Sequence, residues 1–186
     1  LLVSNHAGDV LNARLAVRRA KAAGINVVPV LLGDDIATAP RDRLQERRGL
    51  GGMLFALKIG GAAAEQKQSL EEVGHLMVHA NERTATLMVA ARPPTHPASG
   101  QPMFELPPGQ IEVGAGVHGE AGVYRGEHLH ADDLIDMILS RLLEDLEPLL
   151  ENRVLAFLNG AGGTSLLELH ILQRRIAQYL DLQGLE

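Results

Sequence analysis

A histidine in a glycine-rich stretch is the most informative feature of this sequence. His118 lies within residues 111–122, Ile-Glu-Val-Gly-Ala-Gly-Val-His-Gly-Glu-Ala-Gly, which contain four glycines. Because glycine lacks a side chain and adopts backbone conformations closed to other residues, such a stretch lets a small ligand approach closely. Taken alone, the pattern indicates an exposed, positioned histidine that a ligand can reach. The alternative interpretation is a tight turn that carries a surface histidine.

The elements around His118 predict that a strand delivers it into an open loop. Residues 111–117 read as a strand. In the first half of the chain, a strand over 1–3, a helix over 9–23 and a strand over 25–32 alternate, which predicts an α/β unit with a largely parallel sheet. Asp9 then begins the first helix, where the macrodipole favours a negative charge. A plain N-cap is the alternative role of Asp9.

A shift in composition near Arg83 predicts a boundary between two α/β units, residues 1–83 and 84–186. Each unit is expected to have mixed or largely parallel sheets flanked by helices. In the first unit, helices are predicted over 51–65 and after Ser69, which forms a capping box with Glu72. In the second unit, the pattern predicts strands over 84–91, 104–106 and 153–158, and helices over 131–146 and 165–180.

Composition restricts the class of protein. The 186 residues are 46% hydrophobic and 22% charged, as in ordinary globular domains. A formal net charge of −6 argues against nucleic acid or an anionic membrane as the main partner. The chain has no cysteine, which excludes disulfides and thiolate metal sites. No apolar run approaches the roughly 18 residues that span a bilayer, so we expect a cytoplasmic protein.

Several other patterns favour structural interpretations. The turn Gly160-Ala161-Gly162-Gly163 has neither the lysine of a phosphate-binding P-loop nor the dinucleotide spacing, so we expect no nucleotide to be bound by this chain. Two histidine pairs are expected at the surface, and no metal site is predicted. The charge runs at 41–48 and 144–147 are predicted to be solvated. The histidine pairs are His75 with His79 and His128 with His130.

An ordered set of motifs resembles a known family. The set comprises Ser4-Asn5-His6-Ala7-Gly8-Asp9, Gly33-Asp34-Asp35, Arg48-Gly49-Leu50-Gly51-Gly52, Lys58-Ile59-Gly60-Gly61, Ser69-Leu70-Glu71-Glu72, the stretch around His118, and Asn159-Gly160-Ala161-Gly162-Gly163-Thr164. Together they resemble the dihydroxyacetone-binding K domain of the dihydroxyacetone kinase family over nearly the whole chain. Relative to that family, an N-terminal segment with a second site histidine and the C-terminal strands are not in this sequence, so we expect a fragment.

The resemblance implies a site and a mechanism. In the family, the histidine of G-x-H-G-E-x-G binds the substrate carbonyl covalently as a hemiaminal, and His118 matches it. The aspartate that ends N-Y-T-G-D acts as base, and Asp9 matches it. The implied substrate is a short-chain ketose phosphorylated on a terminal hydroxyl. The phosphate comes from ATP-Mg on a nucleotide-binding L subunit or domain, or from a phosphotransferase phosphoprotein, and a homodimer is implied.

Departures from the family motifs leave alternatives open. Ser4 replaces a substrate-contacting lysine, His6 and Ala7 replace tyrosine and threonine, and Ala121 replaces proline. This altered polar shell favours another C3–C4 keto sugar or lower activity. The main alternative is a non-catalytic, ketose-sensing co-regulator of transcription built on the same domain. A purely structural fragment is a third interpretation if the N-terminal segment is not encoded.

Overall fold

Two short parallel strands and three helices form the first half of the chain. The computed structural model describes residues 1–149 and 151–186. Strand β1 (Leu2–Ser4) leads into α1 (Ala7–Ala22), and β2 (Val30–Leu32) returns parallel to β1 with Leu2 opposite Val30. A 3₁₀ helix (Arg41–Glu46), α2 (Gly52–Glu65) and α3 (Leu70–Glu82) follow. The parallel pairing agrees with the predicted alternation of strand and helix.

The core of this half lies between β2 and the α2–α3 pair. Val30 and Leu32 point inward and pack on Ala56, with Met77 of α3 partly buried against them. Leu31 faces outward, as the two-residue period of a strand requires. Gly60 allows α2 and α3 to approach closely, because a Cβ atom there would collide with the Met77 side chain. Small residues on α2 therefore set the helix spacing.

The second half contains an antiparallel sheet and a helix pair. Strands β3 (Val89–Ala90), β4 (Gln110–Val113) and β5 (Tyr124–Glu127) pair antiparallel in that order. Helix α4 (Ala131–Leu146), a 3₁₀ turn (Glu147–Leu149) and α5 (Leu166–Leu182) follow. Helices α4 and α5 pack through Ile135, Leu139 and Ile176. Helices flanking small sheets make the fold mixed α/β, as predicted.

Local helix signals are confirmed. Ser69 and Glu72 form a reciprocal capping box at the start of α3, and Ser165 and Glu168 form another at α5. Gly24 follows α1 with a φ of 74°, a conformation that favours glycine at helix ends. The predicted tight turn at 160–163 is also present, since the Gly163 N–H donates to the Gly160 carbonyl over 3.2 Å.

Several predicted strands are wrong. No strand forms over 104–106 or 153–158 in the described chain, and the strand expected over 84–91 is reduced to Val89–Ala90. Strand β4 ends at Val113 rather than 117, and β5 was not predicted. Apolar residues alone do not make a strand, because a strand needs a hydrogen-bonding neighbour. Leu155 and Phe157 are exposed instead. The sheet of the second half is antiparallel, rather than mixed or largely parallel as expected.

The expectation that both charge runs are solvated holds for only part of each run. Asp42, Arg43 and Glu144 are exposed, but Arg47 and Asp145 are not. The Arg47 side chain is fully buried, and its guanidinium donates to both carboxylate oxygens of Asp145. Arg41 Nη1 lies 3.2 Å from an oxygen of the same carboxylate.

A β-bridge between Asp35 and Thr86 crosses the expected boundary between the two units. The division at residue 83 stays a prediction. No helix in the described ranges is both long and apolar enough to cross a membrane.

Candidate functional site

The site begins where the end of β1 meets the backbone of residues 45–49. The Ser4 hydroxyl donates to the Gly49 carbonyl over 2.8 Å, and the Asn5 amide donates to the carbonyls of Gln45 and Arg47. The His6 Nε2 atom lies 3.1 Å from the Gly49 carbonyl oxygen. Since a carbonyl oxygen only accepts hydrogen bonds, Nε2 carries the proton. The ring is thereby oriented with Nδ1 facing away from Gly49.

The glycine-rich stretch forms a tight loop around one carboxylate. Gly114 and Gly119 have φ angles of 79° and 86°, which disfavour any other residue. The His118 N–H donates to Glu120 Oε2 over 2.9 Å, and the Gly119 N–H donates to the Gly116 carbonyl over 3.1 Å. His118 Nδ1 lies 3.4 Å from Glu120 Oε1, and the His118 side chain is 61% exposed. The loop thus presents the imidazole to solvent, as predicted.

Two imidazoles meet at Glu120. His6 Nδ1 lies 3.3 Å from Glu120 Oε1, the same oxygen that faces His118. The ring centroids of His6 and His118 are 4.7 Å apart and the planes are nearly perpendicular, at 86°. The two rings differ in exposure, since the His6 side chain is only 9% exposed. We call His6, His118 and Glu120 the histidine–carboxylate cluster.

A buried ion pair holds the loop against the rest of the chain. Arg48 Nε donates to Asp35 Oδ2 over 2.9 Å, and its Nη2 donates to the Gly114 carbonyl over 2.9 Å. Arg48 Nη1 also lies 3.9 Å from Glu120 Oε2. At Gly116, a Cβ atom would overlap the Glu120 carboxylate and the Arg48 guanidinium. The glycine at this position therefore makes room for the charged groups of the site.

The carboxylates of the site respond differently to their surroundings. Burial raises the pKa of Asp35, and the Ala37 N–H and Arg48 offset only part of that rise. Burial also acts to raise the pKa of Glu120, but the backbone N–H groups of Glu120 and His118 and the charge of Arg48 outweigh it. The pKa of Glu120 consequently lies below its usual value. Glu120 is therefore a carboxylate at neutral pH.

The other predicted site residues lie at the start of α1. Asp9 is the third residue of this helix and is exposed. The N-cap position belongs to His6, so the interpretation of Asp9 as a plain N-cap is wrong. The Asp9 carboxylate makes no hydrogen bond or ion pair to the part of the chain that the structure describes. The Ser4 hydroxyl proton is already donated to Gly49. The substrate-contacting roles of Asp9 and Ser4 stay predictions.

Sequence reasoning missed most of the supporting residues. Arg48 was placed in a solvated charge run, and His6 was noted only as a departure from the family. The Asp34-Asp35 pair, one residue after β2, is a usable signal, because two acids close to the end of a buried strand need partners. Asp34 accepts from the backbone N–H groups of Leu50 and Gly52, each over 2.8 Å, and so holds the start of α2.

The histidine–carboxylate cluster is also a donor set for a metal ion, which sequence reasoning did not predict. One ligand atom from each of His6, His118 and Glu120 lies within 4.8 Å of the others. Two imidazoles and one carboxylate are typical ligands of zinc. The four other histidines singled out from the sequence, His75, His79, His128 and His130, are exposed. The surface interpretation of those four residues is therefore confirmed.

Comparison with known proteins identifies the family. The family described as Dak1 domain matches residues 1–186. The chain belongs to the Dak1 domain family. This confirms the resemblance to the dihydroxyacetone-binding K domain that the motifs indicated. The match covers the whole chain, including the segment after β1 that contains His6 and the loop that contains His118.

Relatives within the Dak1 family include kinases of small keto sugars. The chain is 38% identical to an L-erythrulose kinase of Pectobacterium atrosepticum, covering 100% of this chain and 32% of that protein. It is 34% identical to a Listeria innocua protein named PTS-dependent dihydroxyacetone kinase 2, dihydroxyacetone-binding subunit DhaK, covering 98% of this chain and 55% of the relative. The chain thus spans between about a third and about half of the length of these relatives.

A solved structure supports the same fold. The dihydroxyacetone kinase operon co-activator Dha-DhaQ superimposes with a TM-score of 0.90 at 25% sequence identity, covering 100% of this chain and 57% of that chain. The Dak1 fold is therefore found both in proteins named as kinases and in one named as a co-activator.

Proposed function

We propose that this chain is the ketose-binding part of a dihydroxyacetone kinase-like phosphotransferase. It captures dihydroxyacetone or a related C3–C4 keto sugar on His118 as a hemiaminal. One observation carries the proposal: Glu120 Oε1 faces His118 Nδ1 at 3.4 Å on an otherwise exposed ring. A carboxylate in that position favours the tautomer with the proton on Nδ1, which leaves the lone pair on Nε2. Nε2 is the atom that attacks the carbonyl.

The capture step is balanced by two proton movements. As the Nε2–carbon bond forms, the π electrons of the carbonyl move onto oxygen, which takes up a proton from solvent water to become the hemiaminal hydroxyl. The substituted ring then releases its Nδ1 proton toward Glu120. Glycerol has the same hydroxyls but no carbonyl, so it cannot form the adduct. Covalent capture therefore selects keto sugars over polyols.

Phosphoryl transfer would follow on the captured sugar. The adduct holds a terminal hydroxyl in place, and positioning dominates catalysis of this reaction. Asp9, exposed in the first turn of α1, would accept the hydroxyl proton, and Ser4 would contact the sugar. The phosphate would come from ATP-Mg on an L subunit or domain, or from a phosphoprotein, as the phrase "PTS-dependent" in the name of one relative supports. A cytoplasmic homodimer is part of this proposal.

A second candidate function is ketose sensing without catalysis. The similarity to the Dha-DhaQ co-activator favours it, as does Ser4, which stands where the kinases carry a substrate-contacting lysine. Such a protein would keep the capture chemistry of His118 and lose phosphoryl transfer. Adding an L-type donor subunit with ATP, or a phosphotransferase phosphoprotein, distinguishes the two. Formation of a sugar phosphate supports the kinase, and capture without turnover under both donors supports the sensor.

The capture step is tested with dihydroxyacetone labelled with ¹³C at its carbonyl carbon. On binding, we expect the ¹³C NMR signal to move from the carbonyl region to that of a tetrahedral carbon attached to nitrogen. The His118→Ala variant should lose this signal and remain folded, because the side chain is exposed. His130→Ala, another exposed histidine, is the matched control and should retain it. A tetrahedral signal that survives in His118→Ala would overturn the proposal.

A further inference from the structure

We propose that His6, His118 and Glu120 form a binding site for a divalent transition metal of the Zn²⁺ type, and that the bound ion excludes ketose capture. The metal site is argued from the geometry of the cluster alone. The exclusion of ketose rests on the function proposed for His118. Two imidazoles and one carboxylate with an open fourth position are the ligand pattern of zinc sites that exchange their fourth ligand.

The distances within the cluster fit a tetrahedral ion. Ligand atoms at about 2.0–2.1 Å from a tetrahedral centre are separated from each other by about 3.3–3.4 Å. Glu120 Oε1 lies 3.3 Å from His6 Nδ1 and 3.4 Å from His118 Nδ1. One ring nitrogen of each histidine and one Glu120 oxygen all lie within 4.8 Å of one another, which limits the edge between the two imidazoles. Rotation of the exposed His118 ring can shorten this edge, so two edges of the tetrahedron are in place and the third is adjustable.

The orientation of His6 is the strongest sign that a cation belongs between these groups. Its Nε2 proton is donated to the Gly49 carbonyl, at 3.1 Å. In the neutral ring, Nδ1 then carries a lone pair that faces a carboxylate oxygen at 3.3 Å. Two such acceptors repel unless a proton or a metal ion lies between them. A histidine whose other nitrogen donates to a backbone carbonyl is also the usual arrangement of a metal ligand.

The surroundings favour a cation over an anion. Asp35 and Glu120 together carry two negative charges, and Arg48 is the one cationic side chain that the described structure places against both. Arg48 approaches Oε2 of Glu120 and leaves Oε1 to the imidazoles. The His118 N–H also binds Oε2, over 2.9 Å. Glu120 is thus held through Oε2, while Oε1 faces the two imidazoles at the place where an ion would bind.

Metal binding and ketose capture require opposite tautomers of His118. Capture needs the proton on Nδ1 and the lone pair on Nε2. A metal ion on Nδ1 leaves the ring proton on Nε2, which then has no lone pair with which to attack a carbonyl. One imidazole cannot do both at once. Zn²⁺ is therefore expected to act as a competitive inhibitor of ketose binding.

The metal site is tested with chelator-treated protein titrated with Co²⁺, whose visible absorption reports a tetrahedral site, and with Zn²⁺ by calorimetry. We expect one ion per chain. Since loss of a supporting contact alone weakens metal affinity about 10–100-fold, loss of a ligand in His6→Gln or His118→Gln should weaken it at least about tenfold. His75→Gln, an exposed histidine on α3, is the matched control and should bind as the wild type does. His118→Gln keeps the test valid if His6→Gln fails to fold.

The outcomes separate the two proposals. Absence of Co²⁺ binding, or binding that survives in both ligand variants, would overturn the metal site. The ¹³C NMR experiment without metal tests capture by itself. Repeating it with saturating Zn²⁺ tests the exclusion, which predicts loss of the tetrahedral carbon signal and its recovery on chelation. A signal unchanged by Zn²⁺ would overturn the exclusion.

Discussion

The two sides of the site are built in opposite ways. On one side, Ser4, Asn5 and His6 are attached by side-chain hydrogen bonds to the backbone of residues 45–49, and the His6 side chain is only 9% exposed. On the other side, His118 stands on a glycine-rich loop with 61% of its side chain exposed. Glu120 is the one side chain in the described structure that faces both rings. The buried side fixes the orientation of the His6 ring, and the loop side leaves the His118 ring open to a ligand.

This difference shows how a site can be ordered and open at once. A reactive side chain must be held close to its productive geometry, yet a ligand must reach it. Here the buried side and the Asp35–Arg48 pair supply the order, because Arg48 binds both Asp35 and the Gly114 carbonyl. The glycines supply the access. We expect substitutions to have progressively smaller effects on the buried side, on the loop and at a supporting carboxylate.

The largest effect is expected from Asp145→Asn. It removes the counter-charge of Arg47, whose side chain is completely buried and whose carbonyl holds Asn5. An uncompensated buried charge destabilises a protein by about 3–5 kcal/mol. We expect a loss of that size in the free energy of unfolding of Asp145→Asn, measured by urea denaturation. Glu46→Gln, which breaks the exposed pair with Arg43, is the control and should cost less than about 1 kcal/mol. Similar losses in the two variants would contradict the structural role assigned to Arg47.

On the loop, two glycines are expected to respond differently to alanine. In Gly122→Ala the new Cβ atom meets the backbone carbonyl of Val113, which cannot move alone, so we expect a loss of about 1–3 kcal/mol. In Gly116→Ala the atom meets only the ends of the Glu120 and Arg48 side chains. The Glu120 carboxylate can rotate away, but Arg48 is held by Asp35 and the Gly114 carbonyl, so we expect a loss of stability that is smaller than in Gly122→Ala.

Ketose capture in Gly116→Ala tests whether Glu120 sets the tautomer of His118. Gly116→Ala should weaken ¹³C-ketose capture, because Glu120 is displaced from His118. Gly61→Ala, in α2 with nothing near the added atom, is the control and should raise stability slightly. Capture that remains normal in Gly116→Ala would show that Glu120 does not set the His118 tautomer.

The smallest effect is expected on the pH dependence of stability, through Glu112. Burial acts to raise the pKa of Glu112, but Arg125 at 2.6 Å and the Gly122 N–H outweigh it and lower the pKa below the usual 4.5. A carboxyl whose pKa is lowered by folding stabilises the protein above its unfolded pKa and loses that contribution as pH falls through the native value. In denaturation titrations, Glu112→Gln should therefore be less stable at neutral pH and less sensitive to acid below pH 4.5. Glu127→Gln, exposed on β5, should keep the wild-type acid dependence.

Sequence reasoning succeeded where interactions are local. The capping boxes at Ser69 and Ser165 connect residues three apart, so their pattern can be read directly. The exposure of His118 follows from the glycines beside it. It failed for the strand expected over 153–158, because apolar composition does not reveal whether a neighbouring strand exists.

By itself, then, the sequence determined the five α-helices that the structure describes, the capping boxes of α3 and α5, the family and the open histidine loop, since each depends on residues close together in the chain or on a recognisable motif. Only the tertiary structure decided that Arg47 pairs with Asp145, 98 positions away, and that His6 faces the same carboxylate oxygen as His118. The physical reason is that both contacts join residues far apart in the chain, which meet only once it has folded. Burial then strengthens the Arg47–Asp145 pair.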